Sequence, residues 1–489
     1  MNGSAMSLRV ARVLVLVGSV LLLVGLGIVL RDPSIPLGVP GEWTWARLGE
    51  AVEPVAVNIG LGLAGLVLYV GFVAIGRRDL GRSTRGWRRE ALWLGALLVM
   101  GVFAQLAALT AAPPGYGTAK IVTLAMSGSS GYYNVARTEM ADVSEFLGAY
   151  PEWIREQDVY HIGTHPPGLF LTTRTALAVM DAFPGLARRI DEALPVDLAN
   201  AFREILGPMP RADRAALVLM ASLTLLACAS TAVPLYLLMR GSGYDAVVSW
   251  SAASLWPLVP SAILFQPTAD TAFPLLAASA LALATRRGPI AAAVSGVILA
   301  VGMVFTLAFL AVGLMVGLMF ATAPEVPIRR RAGLILATGV GFLTPTLLGW
   351  LATGANPFLI WWWNQANHAG FYVEHPRQYA AWLWINPVEL AVALGLPASA
   401  WAVVGLASGR APRVSWIALG VLVVLTLSGR SLSEVARLWI PFCPMLLAAS
   451  GAGQARLGGG AVTLAVTALL MALQVVMMQL TIQVVYPDV

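Results

Sequence analysis

Charge is scarce in this sequence. Only 11% of its 489 residues are charged, while 58% are apolar, a balance outside the range of soluble globular proteins. Cysteine is nearly absent too. Cys228 and Cys443 both fall inside apolar runs, which argues against a disulfide framework and against a thiolate metal site. Lysine occurs once, at Lys120, so the formal net charge of +6 is carried by arginine. That skew reflects base composition rather than nucleic-acid binding, and no nucleic-acid partner is expected. No Walker loop, nucleotide fingerprint or Ser-His-Asp signature is present. Gly313-x-x-x-Gly317 is a helix-packing pattern and nothing more. Nothing in the chain reads as a soluble domain, a low-complexity tract or an internal repeat.

What the sequence does have is apolar runs of about 20 residues from one end to the other, the mark of a polytopic helical membrane protein. The first, from Val10 to Leu30, follows Arg9 and Arg12 and lacks a small-residue cleavage site before Arg31-Asp32-Pro33. It is read as a retained span. The runs predict about 13 transmembrane helices, at 9–30, 55–76, 91–112, 214–238, 246–266, 271–285, 289–304, 308–322, 332–353, 386–407, 414–429, 438–453 and 460–485. With the N-terminus inside, alternate short loops hold the arginine cluster 77–89 (Arg85 included), Arg240, Arg286 and Arg287, Arg329 to Arg331, Arg410 and Arg413, and Arg456. Such loops belong in the cytoplasm. Of the 25 acidic residues, only Asp79, Glu90, Asp245 and Glu325 then face inward, so carboxylate chemistry belongs to the external face. Residues 166–183 are apolar but centred on Arg174, which costs about 2.5 kcal/mol or more to insert. They are read as an interfacial helix. Two amphipathic helices follow, Leu186 to Leu194 and Leu198 to Ile205, separated by Pro195. The external regions are therefore 113–213 and 354–385, the second rich in aromatics.

All four histidines, His161, His165, His368 and His375, lie in those two regions. One reading is that histidine simply avoids apolar spans. The other is that these rings act as cations or hydrogen-bond donors towards an anion. The spacing His161-x-x-x-His165 would suit a metal on a helix, but Gly163 and Pro166-Pro167 argue against a helix there, and no metal is expected. Glu139, Asp142 and Glu145 recur at steps of three on a predicted 134–147 helix, flanked by Tyr132, Tyr133, Tyr150 and Trp153. This is either a solvated helix face or a place where carboxylates and ring faces meet a polyol. Asp270 ends an apolar run with no arginine near it in sequence, a position that is costly unless it faces a cavity. Arg430 and Arg437 break the positive-inside pattern. Either an anion is held there, or Arg437 pairs with Glu434.

Taken in order, these residues resemble the integral-membrane glycosyltransferases of the GT-C fold, in the protein O-mannosyltransferase and aminoarabinose-transferase branch. The matching features are Tyr132-Tyr133-Asn134-Val135-Ala136, His165-Pro166-Pro167-Gly168, Arg211 to Arg214, Asp270, Phe305-Thr306, the loop with His368, and Arg437-x-x-x-Pro441. The resemblance covers 90–485, with residues 1–89 adding two spans in front. It implies a multi-pass protein of the cell membrane that moves a sugar from a polyprenyl-phosphate carrier to a hydroxyl of a lipid, glycan or protein on the external face. It implies no cofactor, no nucleotide sugar and no obligatory metal, and membrane lipids as neighbours. In roles, it implies Asp142 or Glu139 as base, Asp270 orienting the sugar or acceptor, and His165 with Arg437 on the phosphate. Tyr132, Tyr133, His161, His368 and Arg430 complete the substrate contacts. One departure stands out. Where the family places an acid just before the first aromatic motif, this chain has Ser129, Ser130 and Gly131, so the base has moved along the helix or the acceptor is handled differently.

Two other classes compete. A transporter or glycolipid flippase would be expected to carry ionisable groups inside its spans, and the predicted spans contain none. A non-catalytic scaffold leaves the histidine, arginine and carboxylate set without a purpose.

Overall fold

The computed structural model describes residues 2–49, 52–82 and 86–485, with side chains from Ser7 onward. Arg85 of the basic cluster lies outside the described residues. Within them the chain is helical almost throughout. The strands among the described residues are Gly38–Val39 and Trp43–Thr44, paired as a small antiparallel hairpin.

Among the described residues six helices are long and apolar enough to cross a membrane: Ser7–Arg31, Ala56–Gly81, Trp87–Thr110, Arg211–Gly241, Ile328–Thr353 and Ala461–Gln479. A seventh crossing exists only as a bent pair, Tyr379–Leu394 with Leu396–Ala407, turned by 109° at Gly395, whose φ is +100°. The other expected spans are shorter. Pro289–Phe305, Ala308–Ala321 and Arg413–Leu427 have 17, 14 and 15 residues, too few to cross about 30 Å at 1.5 Å per residue without help. The expected 246–266 span is broken into Ala246–Ala253, a turn at Trp256–Leu258 and Pro260–Leu264. Pro257 and Pro260 interrupt it, since proline donates no N–H and clashes with the preceding turn. Of the thirteen apolar runs, six form helices of spanning length among the described residues and one a bent pair; hydropathy registers an apolar run whether or not its helix is continuous.

Polarity is distributed as in a membrane protein. Leu14, Leu21, Ile28, Leu68, Leu348 and Leu351 are exposed on the long helices, while Gln105, Ser251, Thr467 and Gln474 are buried. Water would favour the reverse. Close helix contacts come from glycines other than the expected pair. A Cβ at Gly296 would collide with Thr338 O and one at Gly341 with Ala293 O, which lets Pro289–Phe305 lie directly along Ile328–Thr353. Gly405 and Gly453 join Leu396–Ala407 to Cys443–Arg456 in the same way, the small-residue packing that dispersion rewards in lipid. Gly317 has open space instead.

The N-terminal hairpin segment is tied to the body. Arg47 donates to the carbonyls of Leu30, Val29, Asp32 and Ile35 at 2.7–2.8 Å, filling the orphan acceptors at the first helix's end. The Glu42 carboxylate accepts from Trp382 Nε1 at 2.7 Å and from the Gln378 amide at 3.0 Å.

Residues 113–213 form a set of short helices with their own apolar core. Phe146, Tyr150, Ile154, Phe170 and Leu177 pack together with Ile360 from Pro357–Glu374. Where one helix was expected over 134–147, there are two, Tyr132–Thr138 and Val143–Trp153, because Asp142 caps the second. Gly168–Ala182 is a helix of 15 residues in which Arg174 reaches Met140 O at 2.8 Å. The amphipathic pair is Pro184–Glu192 and Val196–Ile205, with Leu198 and Phe202 buried.

Candidate functional site

Three stretches distant in sequence converge on one cavity of about 680 Å³. The first is the turn His161–Thr164, which is helical despite Gly163. Gly163 serves as an anchor: its carbonyl accepts from Asn364 Nδ2 at 3.0 Å and Asn367 Nδ2 at 2.9 Å, and a side chain there would collide with Asp158 O. This fastens the histidine turn to Pro357–Glu374, the helix that brings Gln365 and His368 to the same cavity. The second stretch is the 3-10 turn Ala269–Thr271, which presents Asp270. The third is the loop 429–434 and the four-residue turn Val435–Leu438, which present Arg430, Glu434 and Arg437.

Arg437 is the centre of the polar end. Its guanidinium lies 3.5 Å from Asp270 and 3.8 Å from Glu434, and 3.5 Å from His161 Nδ1. Both ion pairs are longer than a hydrogen bond; the nearer runs to Asp270 from Arg437 Nε, which is buried and makes no hydrogen bond. Burial opposes its charge, but Asp270 and Glu434 outweigh burial and raise its pKa above the usual arginine value. Arg430 is at the rim, exposed. Among the described residues no carboxylate comes within ion-pair distance of it. The backbone here is unusual: Ser433 and Glu434 have φ of 76° and 54°, left-handed conformations that residues with a Cβ rarely adopt.

The histidines are not the cations that an anion site suggested. Burial, reinforced by Arg437 and His165, holds His161 well below the ordinary imidazole range. Burial lowers His165 as well, with Asp270 opposing and Arg437 assisting. Burial and Arg430 lower His368. All three are neutral at pH 7, and each offers a single N–H. His165 Nδ1 is 3.0 Å from His161 O; a carbonyl only accepts, so that nitrogen carries the proton. His161 Nδ1 faces a guanidinium that only donates, so its proton sits on Nε2. His375 accepts or donates at 2.8 Å with the Tyr160 hydroxyl and does not line the cavity.

The other expected residues lie elsewhere or behind the wall. Tyr132 stands edge-on to His165 at 5.9 Å, its hydroxyl directed to His161 O. Tyr133 turns away and donates to the buried Asp213 at 2.5 Å. Asp142 caps a helix, accepting from the Ser144 and Glu145 amides at 2.8 and 3.0 Å, and Glu139 accepts from Trp153 Nε1 at 2.9 Å. Neither lines the cavity, where the acids are Asp270 and Glu434. The helical period placed Glu139 and Asp142 on one face, but local hydrogen bonds engage one oxygen of each.

Two charged residues were not singled out as site candidates. Glu389 is 8% exposed within Tyr379–Leu394, contrary to the expectation of spans free of ionisable groups; an acid inside an apolar run was the visible signal. Lys120 donates to Leu264 O at 2.8 Å and Val484 O at 3.3 Å from a buried position. Its signal was its being the lone lysine.

The far wall of the cavity is apolar. It is built from Leu307, Leu310 and Leu314 on one side and Val421, Val424 and Leu425 on the other. Leu310, Leu314 and Val424 are 51%, 53% and 62% exposed, so the wall is also part of the lipid-type surface between Ala308–Ala321 and Arg413–Leu427. The arrangement can hold an anion at one end and an apolar chain at the other. Among the described residues no group of three or more His, Cys, Asp or Glu side chains is placed to hold a metal ion.

Fold and site define an all-helical membrane protein with a half-polar, half-apolar cavity. No family model, curated protein or solved structure matches the chain.

Proposed function

We propose that this protein is a membrane-embedded glycosyltransferase that moves a sugar from a polyprenyl-phosphate carrier to an acceptor hydroxyl. The observation that carries the reading is the union, in one cavity, of arginine donors lacking full partners and a wall open to lipid. A carrier of this kind has the same two halves: a phosphate, and a tail that stays in the bilayer. Arg437 and Arg430 hold the phosphate, since a guanidinium grips two phosphate oxygens at once. Neutral His161 adds a donor through Nε2.

In the reaction, the bond between the sugar's C1 and the phosphate oxygen breaks with its electron pair staying on the phosphate. The acceptor oxygen bonds to C1 and its proton passes to a carboxylate. Phosphate needs cations rather than an acid to leave; the hydroxyl needs a base. We assign that base to Asp270, because it lines the cavity 3.5 Å from Arg437 and so lies beside the departing phosphate. The arginine distribution in the sequence supports an extracytoplasmic site in the cell membrane. Lipid, glycan and protein acceptors all supply a suitable hydroxyl.

A second reading has its own support. The bent pair at Gly395 and the buried Glu389 are features of carriers that move a substrate across the bilayer. The purified protein in liposomes, given a radiolabelled polyprenyl-phosphate sugar and a panel of acceptors, separates the two. A transferase releases polyprenyl phosphate and labels the acceptor. A carrier relocates the label with its sugar–phosphate bond intact, and that outcome would overturn the reading.

A further inference from the structure

The Ser431–Arg437 segment is held from one side by three side chains. Tyr372 Oη accepts from the Leu432 N–H at 2.9 Å. Asn386 Nδ2 donates to Ser431 O at 2.7 Å. Glu389, about one helical turn beyond Asn386, accepts from the Ala436 N–H through Oε1 at 3.0 Å. The Trp45 side chain and the Val435 N–H also bear on its carboxyl group. A buried acid is a costly way to satisfy backbone amides, and an apolar side chain would suit the surrounding helices better. What the carboxylate does hold is the residue next to Arg437, on a turn whose two preceding residues, Ser433 and Glu434, are left-handed. Such conformations persist only where neighbours impose them.

Without that hold the turn would relax, and Arg437 would close onto Glu434, its i,i+3 neighbour on the same turn. The guanidinium would then be drawn away from Asp270, which its Nε now faces at 3.5 Å. We propose that Glu389 is a positioning residue: by fixing the Ala436 amide it keeps Arg437 stretched between Asp270 and Glu434, and so gives the cavity its preference for a phosphate headgroup. The inference rests on the reading of the cavity as a carrier site, but the clamp itself is testable without any ligand.

The experiment compares the full-length wild type with Glu389→Leu and Glu389→Gln in detergent. One measurement is hydrogen exchange of the 432–438 peptide against that of the core around Trp250. The other is binding of polyprenyl phosphate against polyprenol of the same chain length. Glu389→Leu should lose protection of the 432–438 peptide alone, and with it at least about tenfold of the phosphate-over-alcohol preference. Glu389→Gln keeps an oxygen for the Ala436 N–H and should restore most of both. Should Glu389→Leu not fold, Glu389→Asp keeps the acid but falls one methylene short, and should show the same two losses. Unchanged protection and unchanged preference in either shortened or apolar variant would overturn the clamp. A wild type that binds phosphate and alcohol equally would instead remove the carrier reading, leaving hydrogen exchange to decide on Glu389 by itself.

Discussion

Two polar stretches of this chain set carboxylates beside aromatic rings, and they are wired in opposite ways. In residues 134–153 the two acids assigned to catalysis are engaged by their own neighbourhood: Glu139 by the Trp153 indole, Asp142 by two helix amides. In residues 429–437 the groups are left short. Arg437 stands 3.5 and 3.8 Å from its two carboxylates with one nitrogen unpartnered, and the backbone beneath it is left-handed at two residues. Satisfied polar groups are what folding produces when nothing else is asked of them. Groups held apart at a cost mark the place where something else is to bind. The same residue types are therefore satisfied locally in one stretch and left short in the other, and on the proposed reading the second stretch is the functional one.

The largest effect that would break this comparison is at Arg437. Arg437→Ala should lower turnover by about 100-fold or more, the scale of losing a charge-stabilising donor, and should weaken carrier binding as well. Arg437→Lys should recover part of either, because an ammonium cannot reproduce the two-point grip. Single-turnover transfer and direct carrier binding measure the two. Normal values for Arg437→Ala would reduce it to a partner of Glu434.

Asp270→Asn comes next. As the base it should cost about 100-fold in turnover while carrier affinity stays near the wild type, since the phosphate contacts remain. A variant that loses affinity but keeps its turnover at saturating carrier would make Asp270 an orienting group only, the role the family resemblance gave it.

How much of this was legible beforehand follows from what each signal depends on. Asp270, His161, His165, His368, Arg430 and Arg437 were all readable one by one, because a charged or imidazole side chain beside apolar runs is conspicuous. Their convergence was not, because it depends on how Gly163 seats the histidine turn on Asn364 and Asn367. Helical content was plain from the apolar runs, yet the number of crossings was not. Pro257, Pro260 and Gly395 break helices without interrupting hydropathy. That Glu139 and Asp142 stand away from the cavity was hidden for one reason: the helical period reports which residues share a face, never which of them a cap uses.

Lys120 offers a smaller and purely thermodynamic test, outside both stretches. Burial lowers its pKa from 10.5 to about 7. Between those values the unfolded chain holds a proton that the folded one has released. The unfolded state therefore binds more protons, and stability rises with pH through that window, levelling off below about pH 7 and above the unfolded value. Lys120→Met has no such proton and should flatten the slope of the unfolding midpoint between pH 7 and 10. An unchanged slope would mean that Lys120 stays protonated against Leu264 O and Val484 O.

The smallest effect sharpens the comparison from its structural side. Asp142 accepts two amides at the start of Val143–Trp153, so Asp142→Ala should cost about 1 kcal/mol of stability, the usual loss for a helix cap. Asp142→Asn, which keeps an acceptor oxygen, should cost less. Neither change reaches the cavity, so turnover per folded molecule should stay at the wild-type level, and Glu139→Gln should behave alike. The decisive pattern is the ratio of the two measurements. A loss of stability at constant turnover fits a cap. A large loss of turnover at constant stability would place the base on this helix after all, and would strip Asp270 of its role while leaving the arginines theirs. The two carboxylates thus test each other: the proton from the acceptor hydroxyl can go to one of them, and the one that already holds two helix amides through Oδ1 is the poorer acceptor.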